Sequence, residues 1–450
     1  MTFCTFTLSN GIRCVLGQTR SAVVHCAMTI NAGSRDELPG EHGIAHLVEH
    51  SLFKGTAHRR AYHINSRLEN LGGELNAFTT KEDTTVHATV LRSDFAKAAE
   101  LVADIVFNSA FPANEIEREK QVVVDEINSY RDIPQEMIYD DFEAEMFAGS
   151  PLGRNILGTA RSVKKFDSDM LRDFVARTYT PDCMVFAAVG DLSERTFRAI
   201  AERYFGSAAK PASGASGASR ASGVSGAFGT ANEPNPEVDR PDFVTTVPDL
   251  EEMEAGKRGF LREMPPPLTA FEKTVVKKGN HQSHCVLGNR AYSLTDPRRL
   301  PLMLMVNILG GPAANSRLNM VLRERNGLSY SVEAMYSPFS DSGFASIYFG
   351  CEKENLDRCR KLVDTELQRV MDSPLTPRAL SAAKKQFLGQ FAISMDASEG
   401  YMLGAAKSYL IYNEIDSLQI VADKIAAITA DEVLTATRDV FGTLSSMIYR

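Results

Sequence analysis

No apolar run in this chain of 450 residues is long enough to span a bilayer. No C-x-x-C pair occurs among the seven cysteines, at positions 4, 14, 26, 183, 285, 351 and 359. Their odd number in a chain this long reads as reduced thiols, not as a disulfide framework or as cysteine zinc ligands. The N-terminus, MTFCTFTLSNGIRCVLGQ, lacks a basic segment followed by an apolar one, so no secretory signal is read there. These absences set the expectation of a cytoplasmic protein with no membrane partner, provided no targeting segment has been trimmed. Positive charge is not in excess either. The 49 Lys and Arg against 57 Asp and Glu leave a formal charge of −8 and a pI near 5.7, which argues against a nucleic-acid partner. A G-x-x-x-x-G-K-[ST] run is also missing, so nothing here resembles a nucleotide-driven motor.

What remains is globular in composition, with 44% hydrophobic and 24% charged residues. The length suits two large domains or three smaller ones. The chemistry is concentrated in Glu41–Thr56, EHGIAHLVEHSLFKGT, where His46, Glu49 and His50 spell H-x-x-E-H. On a helix, His46 and His50 lie one turn apart and point the same way, with Glu49 one step round. Two such imidazoles can hold one Zn²⁺ at about 2.0–2.1 Å each, and a carboxylate beside them can take a proton from water. Two histidines four apart also arise without a metal, and a catalytic zinc wants a third protein ligand.

Taken in order, residues 3–16 alternate around Asn10-Gly11 and predict a β-hairpin. Residues 22–30 predict a buried strand, and a loop over 31–43 delivers the chain to the motif helix. A second helix over 62–71 ends at Gly72-Gly73. Two strands then flank Lys81–Asp83, with His87 in the second as a packed or half-exposed strand residue. A helix over 95–107 precedes a long one from Asn114, its expected N-cap. Glu119 and Glu126, seven apart, share a face of that helix, to which Val122 and Val123 are also assigned. Carboxylates on a half-buried face need a cation, which a lysine, an arginine or a metal could supply. A further helix and a Gly-containing loop occupy 140–165, followed by a helix at 169–177, a strand at 184–190 and a helix at 194–205.

Between 211 and 230, Ala, Ser and Gly supply fifteen of twenty residues, a flexible linker by composition. The second half then repeats the first faintly. Ser-Arg-Leu recurs at 66–68 and 316–318, each time before a Gly turn and a pair of strands, and the helix over 111–130 finds a counterpart at 373–395. The segment MLMVNILGG stands where the first half has AHLVEH, and Leu388, Gly389 and Gln390 stand near the counterpart of Glu126. The expected fold class is therefore α+β, two homologous halves, each an α/β domain whose mainly antiparallel sheet packs against helices. The expected bounds are 1–206 for the metal-binding half, 207–270 for the linker and 271–450 for the half without ligands.

These residues together resemble the pitrilysin/insulinase family of inverted-motif zinc peptidases, most closely its mitochondrial-processing-peptidase-like branch. The resemblance rests on HLVEHSLFKGT at 46–56, GGELNAFTTKEDTT at 72–85, the helix with Glu119 and Glu126, GRNILGT at 153–159 and SRLNMVLRERNGLSYSV at 316–332. Seventy-five residues lie between His50 and Glu126, about the spacing of that family's third ligand. The resemblance implies that His46, His50 and Glu126 bind zinc, that Glu49 is the general base, and that Glu119 orients a ligating histidine. It implies that Asn76, Ala77 and Thr79 lie on an edge strand that pairs with extended peptide substrates, and that Arg323 and Tyr330 reach across a cavity to the substrate carbonyl. It further implies a zinc endopeptidase whose chains pair like a clamshell around a chamber. Because both halves share one chain, the pair is expected to be a homodimer. The rivals are a non-catalytic partner subunit, which the intact ligand set disfavours, and an obligate heterodimer.

Overall fold

A computed structural model describes residues 2–207, 262–276 and 282–450. The predicted linker lies for the most part outside these residues.

The first half is a six-stranded sheet in the order β1-β2-β6-β3-β5-β4. Its strands are β1 (Thr2–Thr7), β2 (Arg13–Gln18), β3 (Val23–Ile30), β4 (Glu74–Thr79), β5 (Thr84–Leu91) and β6 (Met184–Gly190). All neighbours are antiparallel except β2 and β6. The β1–β2 hairpin turns where Asn10-Gly11 predicts it, with Gly11 at φ +106°. The second half is a five-stranded sheet in the order β7-β11-β8-β10-β9, built from β7 (Glu272–Val275), β8 (Gln282–Arg290), β9 (Ser329–Pro338), β10 (Gly343–Glu352) and β11 (Ser445–Tyr449). Its one parallel pair is β7 with β11. Laid on the first sheet, β7, β11, β8, β10 and β9 fall on β2, β6, β3, β5 and β4. The duplication suggested by three shared letters is a duplication of strand order and direction.

Each sheet buries both faces, which explains why β6 is apolar throughout. Cys26, Met28, Phe186 and Ala188 pack on the first half's own helices. The opposite face presents Val15, Ala27, Val185, Ala187 and Val189, and these meet Met402, Ala406, Tyr409 and Leu410. That covering helix, Ser398–Tyr412, belongs to the second half. The exchange is reciprocal. Ile138, Phe142 and Met146 lie on a helix of the first half, Pro134–Met146, yet they pack on Val286, Phe344, Tyr348, Met447 and Tyr449 of the second sheet. The contact is close: a Cβ at Gly288 would stand 3.1 Å from the Phe142 ring. Fully burying one such side chain is worth about 1.5–3 kcal/mol, so each sheet loses the cover of one face without the other half's helix.

Most predicted elements appear within a residue or two of their expected bounds. Three do not. The 140–165 helix begins at Pro134, a residue suited to a first turn. The long helix runs Ala113–Arg131 after Pro112, so Asn114 sits inside its first turn and does not cap it. Val122 points to solvent; the buried face is Ile116, Glu119, Lys120, Val123, Val124 and Ile127.

Candidate metal centre

The motif lies on helix α1 (Ile44–Leu52). Gly43, at φ +94°, opens it against Gly158, where a Cβ would stand 2.7 Å from the facing Cα, so neither position admits a side chain. The helix start has a partner for its free N–H groups. The Glu37 carboxylate accepts from Gly43 N at 3.0 and 3.1 Å and from Ala45 N at 3.1 Å. Ile44, Leu47, Val48 and Leu52 enter the core, which turns His46 and His50 together toward the long helix, here α2 (Ala113–Arg131). Their ring centroids are 4.5 Å apart.

Helix α2 supplies both carboxylates. Oε2 of Glu126 lies 3.7 Å from Nε2 of His46 and 3.5 Å from Nε2 of His50. Ligand atoms of the three residues all fall within 4.8 Å of one another, the one such cluster of three among the described residues. The Glu126 Oε2 atom is buried without a hydrogen-bond partner among them. A bare carboxylate oxygen between two imidazoles is what a cation site of nitrogen and oxygen donors looks like. Two turns earlier, Glu119 holds the far nitrogen of His50, Nδ1 to Oε1 at 3.0 Å, and its other oxygen lies 2.7 Å from the Lys54 ammonium. That is the carboxylate–histidine arrangement that orients a metal-binding ring.

Burial and neighbouring charge set the protonation states. Burial, aided by His50, pushes His46 down to about 3, so it is neutral, as a ligand must be. Burial also opposes charge on His50, but Glu119, Glu49 and Glu126 outweigh it and the ring is raised. Burial raises the Glu49 carboxyl, while hydrogen bonding from Thr79 and the charge of His50 pull the other way. Glu119 resists its burial because His50 and Lys54 hold it below the usual carboxylate range.

Strand β4 forms an edge of the first sheet among the described residues. Leu75 and Ala77 pack against the core, whereas Asn76 is exposed and its Oδ1 accepts from Ala77 N at 2.9 Å. Thr79, at the end of this strand, is the residue that touches Glu49. Arg323 and Tyr330 stand apart, on the second half. Arg323 lies in a short π-helical stretch, Asn319–Glu324, with its side chain 54% exposed and Nε 3.8 Å from Glu324. Tyr330 is 82% exposed at the start of β9. His87 is a strand residue, and its Nδ1 lies 2.9 Å from Glu399 of the exchanged helix.

Two residues of the site escaped sequence reasoning. Lys54 stands inside the quoted motif, and a buried Glu119 calls for a cation, so its role was available from burial logic. Glu37 carried no signal, because nothing in its spacing points to a helix start six residues on.

Residues 13–160 match the family described as Insulinase (Peptidase family M16), and residues 165–387 match the Peptidase M16 inactive domain. An uncharacterized zinc protease of Streptomyces coelicolor is 31% identical, covering 98% of this chain and 88% of its own length. One of Bacillus subtilis, YmxG, is 29% identical over 97% of this chain and 95% of its own. Among solved structures, a protease from Helicobacter pylori superposes with a TM-score of 0.84 at 18% identity, covering 100% of this chain and 99% of that one. A peptidase M16 inactive domain from Pseudomonas fluorescens superposes at 0.81 and 20% identity, covering 100% and 98%. These two speak for the fold, and the sequence matches speak for descent. Matched in order by both domains of one family, this chain belongs to peptidase family M16, the insulinase or pitrilysin family.

Proposed function

We propose that the chain is a zinc endopeptidase acting on unstructured peptides. The observation that carries this reading is the convergence of His46, His50 and Glu126 ligand atoms within 4.8 Å, the two histidines on the same helix as Glu49, which Thr79 of the edge strand β4 touches. The three residues would hold the ion, and the bare Glu126 oxygen fits that use. Bound there, zinc supplies the Lewis acidity that makes water a nucleophile near neutral pH. Relatives named zinc proteases support this choice of metal. Glu49 then takes the proton from the attacking water and returns it to the leaving amine, a contribution typically on the order of 10²–10⁴.

Substrate would add as a strand beside Asn76, Ala77 and Thr79, where β4 has backbone groups to offer. Arg323 and Tyr330, exposed as they are, would stabilise the developing oxyanion when two copies of the chain close around the peptide. A homodimer satisfies this because every copy carries both sets of residues. We place the protein in the cytoplasm, in keeping with seven cysteines that form no disulfide among the described residues. Among the described residues no helix is long and apolar enough to cross a membrane.

A peptide must be extended to pair with β4, and unfolding a domain costs about 5–15 kcal/mol. The deciding experiment is a competition digest with the zinc-loaded protein, using a disordered peptide and a stable folded domain that carries the same segment in a strand. Rapid cutting of the peptide with the domain spared is expected. Equal rates would reject strand addition in a closed chamber, and no cutting of either, with zinc bound, would favour a non-catalytic subunit.

A further inference from the structure

Three consecutive charged residues, Arg35, Asp36 and Glu37, lie in the loop that delivers the chain to α1, and each is tied to a different part of the molecule. Arg35 reaches the second half. Its Nη1 donates to Asp341 Oδ1 at 2.9 Å and its Nη2 to Oδ2 at 2.5 Å, in the turn between β9 and β10. The same Nη1 donates to Glu82 in the β4–β5 turn at 2.6 Å, and Glu82 accepts from Ser340 N at 2.8 Å and Ser340 Oγ at 2.7 Å. The tips of the two equivalent hairpins therefore meet across Arg35.

Asp36 binds the first residue of the stretch 262–276. Arg262 grips it bidentately, Nε to Oδ1 at 2.9 Å and Nη2 to Oδ2 at 2.8 Å, and also donates to the Glu82 carbonyl at 2.9 Å. The next residue, Glu263, offers its carbonyl to Arg35 at 2.9 Å. The Arg35 and Asp36 side chains are 1% exposed and that of Arg262 is 9%. Glu37 completes the series by holding the first N–H groups of α1.

Buried arginines with bidentate carboxylates have little freedom to slide, because moving either partner strands a charge away from water. A displacement of the second half therefore pulls on Arg35 and Asp36, and through Glu37 on the start of the motif helix. We propose that Arg262 is a positioning residue: with Arg35 it locks the β9–β10 turn of the second half to the N-terminus of the helix carrying His46, Glu49 and His50. The inference rests on the peptidase reading for its consequence, since the half it fixes is the one that bears Arg323 and Tyr330. The lock itself is a property of this chain that can be measured without turnover.

The test compares the full chain with Arg262→Met and Asp341→Asn by hydrogen exchange and by zinc release to a chelator. Asp341 touches none of the residues of the metal centre, so its effect there must travel through Arg35. In both variants the peptide spanning 43–52 should exchange on the order of tenfold faster, with β6 (184–190) unchanged. Zinc release should accelerate in step. On a disordered peptide, kcat should fall about 10- to 100-fold with KM within about twofold, as displaced catalytic groups with intact binding require. Arg262→Lys, which keeps the charge but not the fork, should fall between. Unchanged exchange at 43–52 in both variants overturns the proposal, as does acceleration spread evenly over β6. Should Arg262→Met not fold, Asp341→Asn decides alone. If the wild-type protein cuts no peptide, the peptidase reading falls, while exchange and zinc release still decide the lock.

Discussion

The Lys54 ammonium lies 2.7 Å from one oxygen of Glu119 while the other oxygen lies 3.0 Å from Nδ1 of His50. A lysine at the end of the motif segment thus acts on a motif histidine through a carboxylate of another helix. The pair keeps Glu119 ionised, and an ionised Glu119 fixes the ring so that Nε2 faces Glu126.

Breaking that relay should weaken the metal without removing a ligand. Glu119→Gln should lower zinc affinity by about 10–100-fold, and Lys54→Met by a smaller factor in the same direction. Competition against a chelator of known affinity reads both. A Glu119→Gln protein that holds zinc as tightly as wild type would remove Glu119 from the site.

The ligand and base assignments separate by stoichiometry. His50→Ala should lose most of its zinc in elemental analysis. Glu49→Gln should keep one zinc per chain yet lose peptide hydrolysis by about 10²-fold or more, because an amide cannot take the proton. Turnover like that of wild type would exclude Glu49 as the base.

Arg323→Ala and Tyr330→Phe should leave the zinc content untouched and lower turnover on disordered peptides. Removal of one oxyanion donor typically costs about 10²–10³ in kcat, and two partial donors should each fall at or below that range. Activity unchanged in both variants would return the two residues to the surface they occupy.

Glu37 gives a pH signature. Burial pushes its carboxyl up to about 8 from an ordinary 4.5, against the opposing hydrogen bonds of Ala45 and Gly43. Between those two values the folded chain holds a proton that the unfolded chain has released, so this contribution is full at low pH and fades as pH rises through about 8. The stability of wild type relative to Glu37→Gln should therefore decline across this window, by an amount on the order of a few kcal/mol, and level off above it. Chemical denaturation of the apo proteins at a series of pH values checks the slope. A flat difference would mean that Glu37 is ionised throughout.

Local elements were legible in the sequence where one residue type dictates the backbone or one face dictates burial. Asn10-Gly11 specified the first hairpin, Gly72-Gly73 stopped a helix, and the apolar run Met184–Gly190 announced a strand. The H-x-x-E-H spacing set His46, Glu49 and His50 on one helix and the seven-residue spacing set Glu119 and Glu126 on another, but only the family resemblance joined the two. What stayed hidden was long-range. Ile138, Phe142 and Met146 fall four apart and mark an apolar face, but no periodicity says which sheet that face will cover. Val122 shows the same limit on a smaller scale, because hydrophobicity alone could not separate it from Val123 one residue on. Lys54 and Arg262 depend on partners tens to hundreds of residues away, and a single sequence carries no record of such pairs; the partners of Glu37 are near, but they are backbone N–H groups that no side-chain pattern marks.

The exchanged helices also govern the order in which the protein can be made. When β6 leaves the ribosome, the face formed by Val15, Ala27, Val185, Ala187 and Val189 has no cover, because its cover is the helix Ser398–Tyr412. At about 5–20 residues per second, the intervening stretch of roughly two hundred residues keeps that surface bare for on the order of ten to forty seconds. During this time the first sheet is open to chaperones, to other nascent chains and to a second copy of itself. A gene cut between the halves should accordingly yield two insoluble products when each is expressed alone, and a soluble pair when both are translated in the same cell.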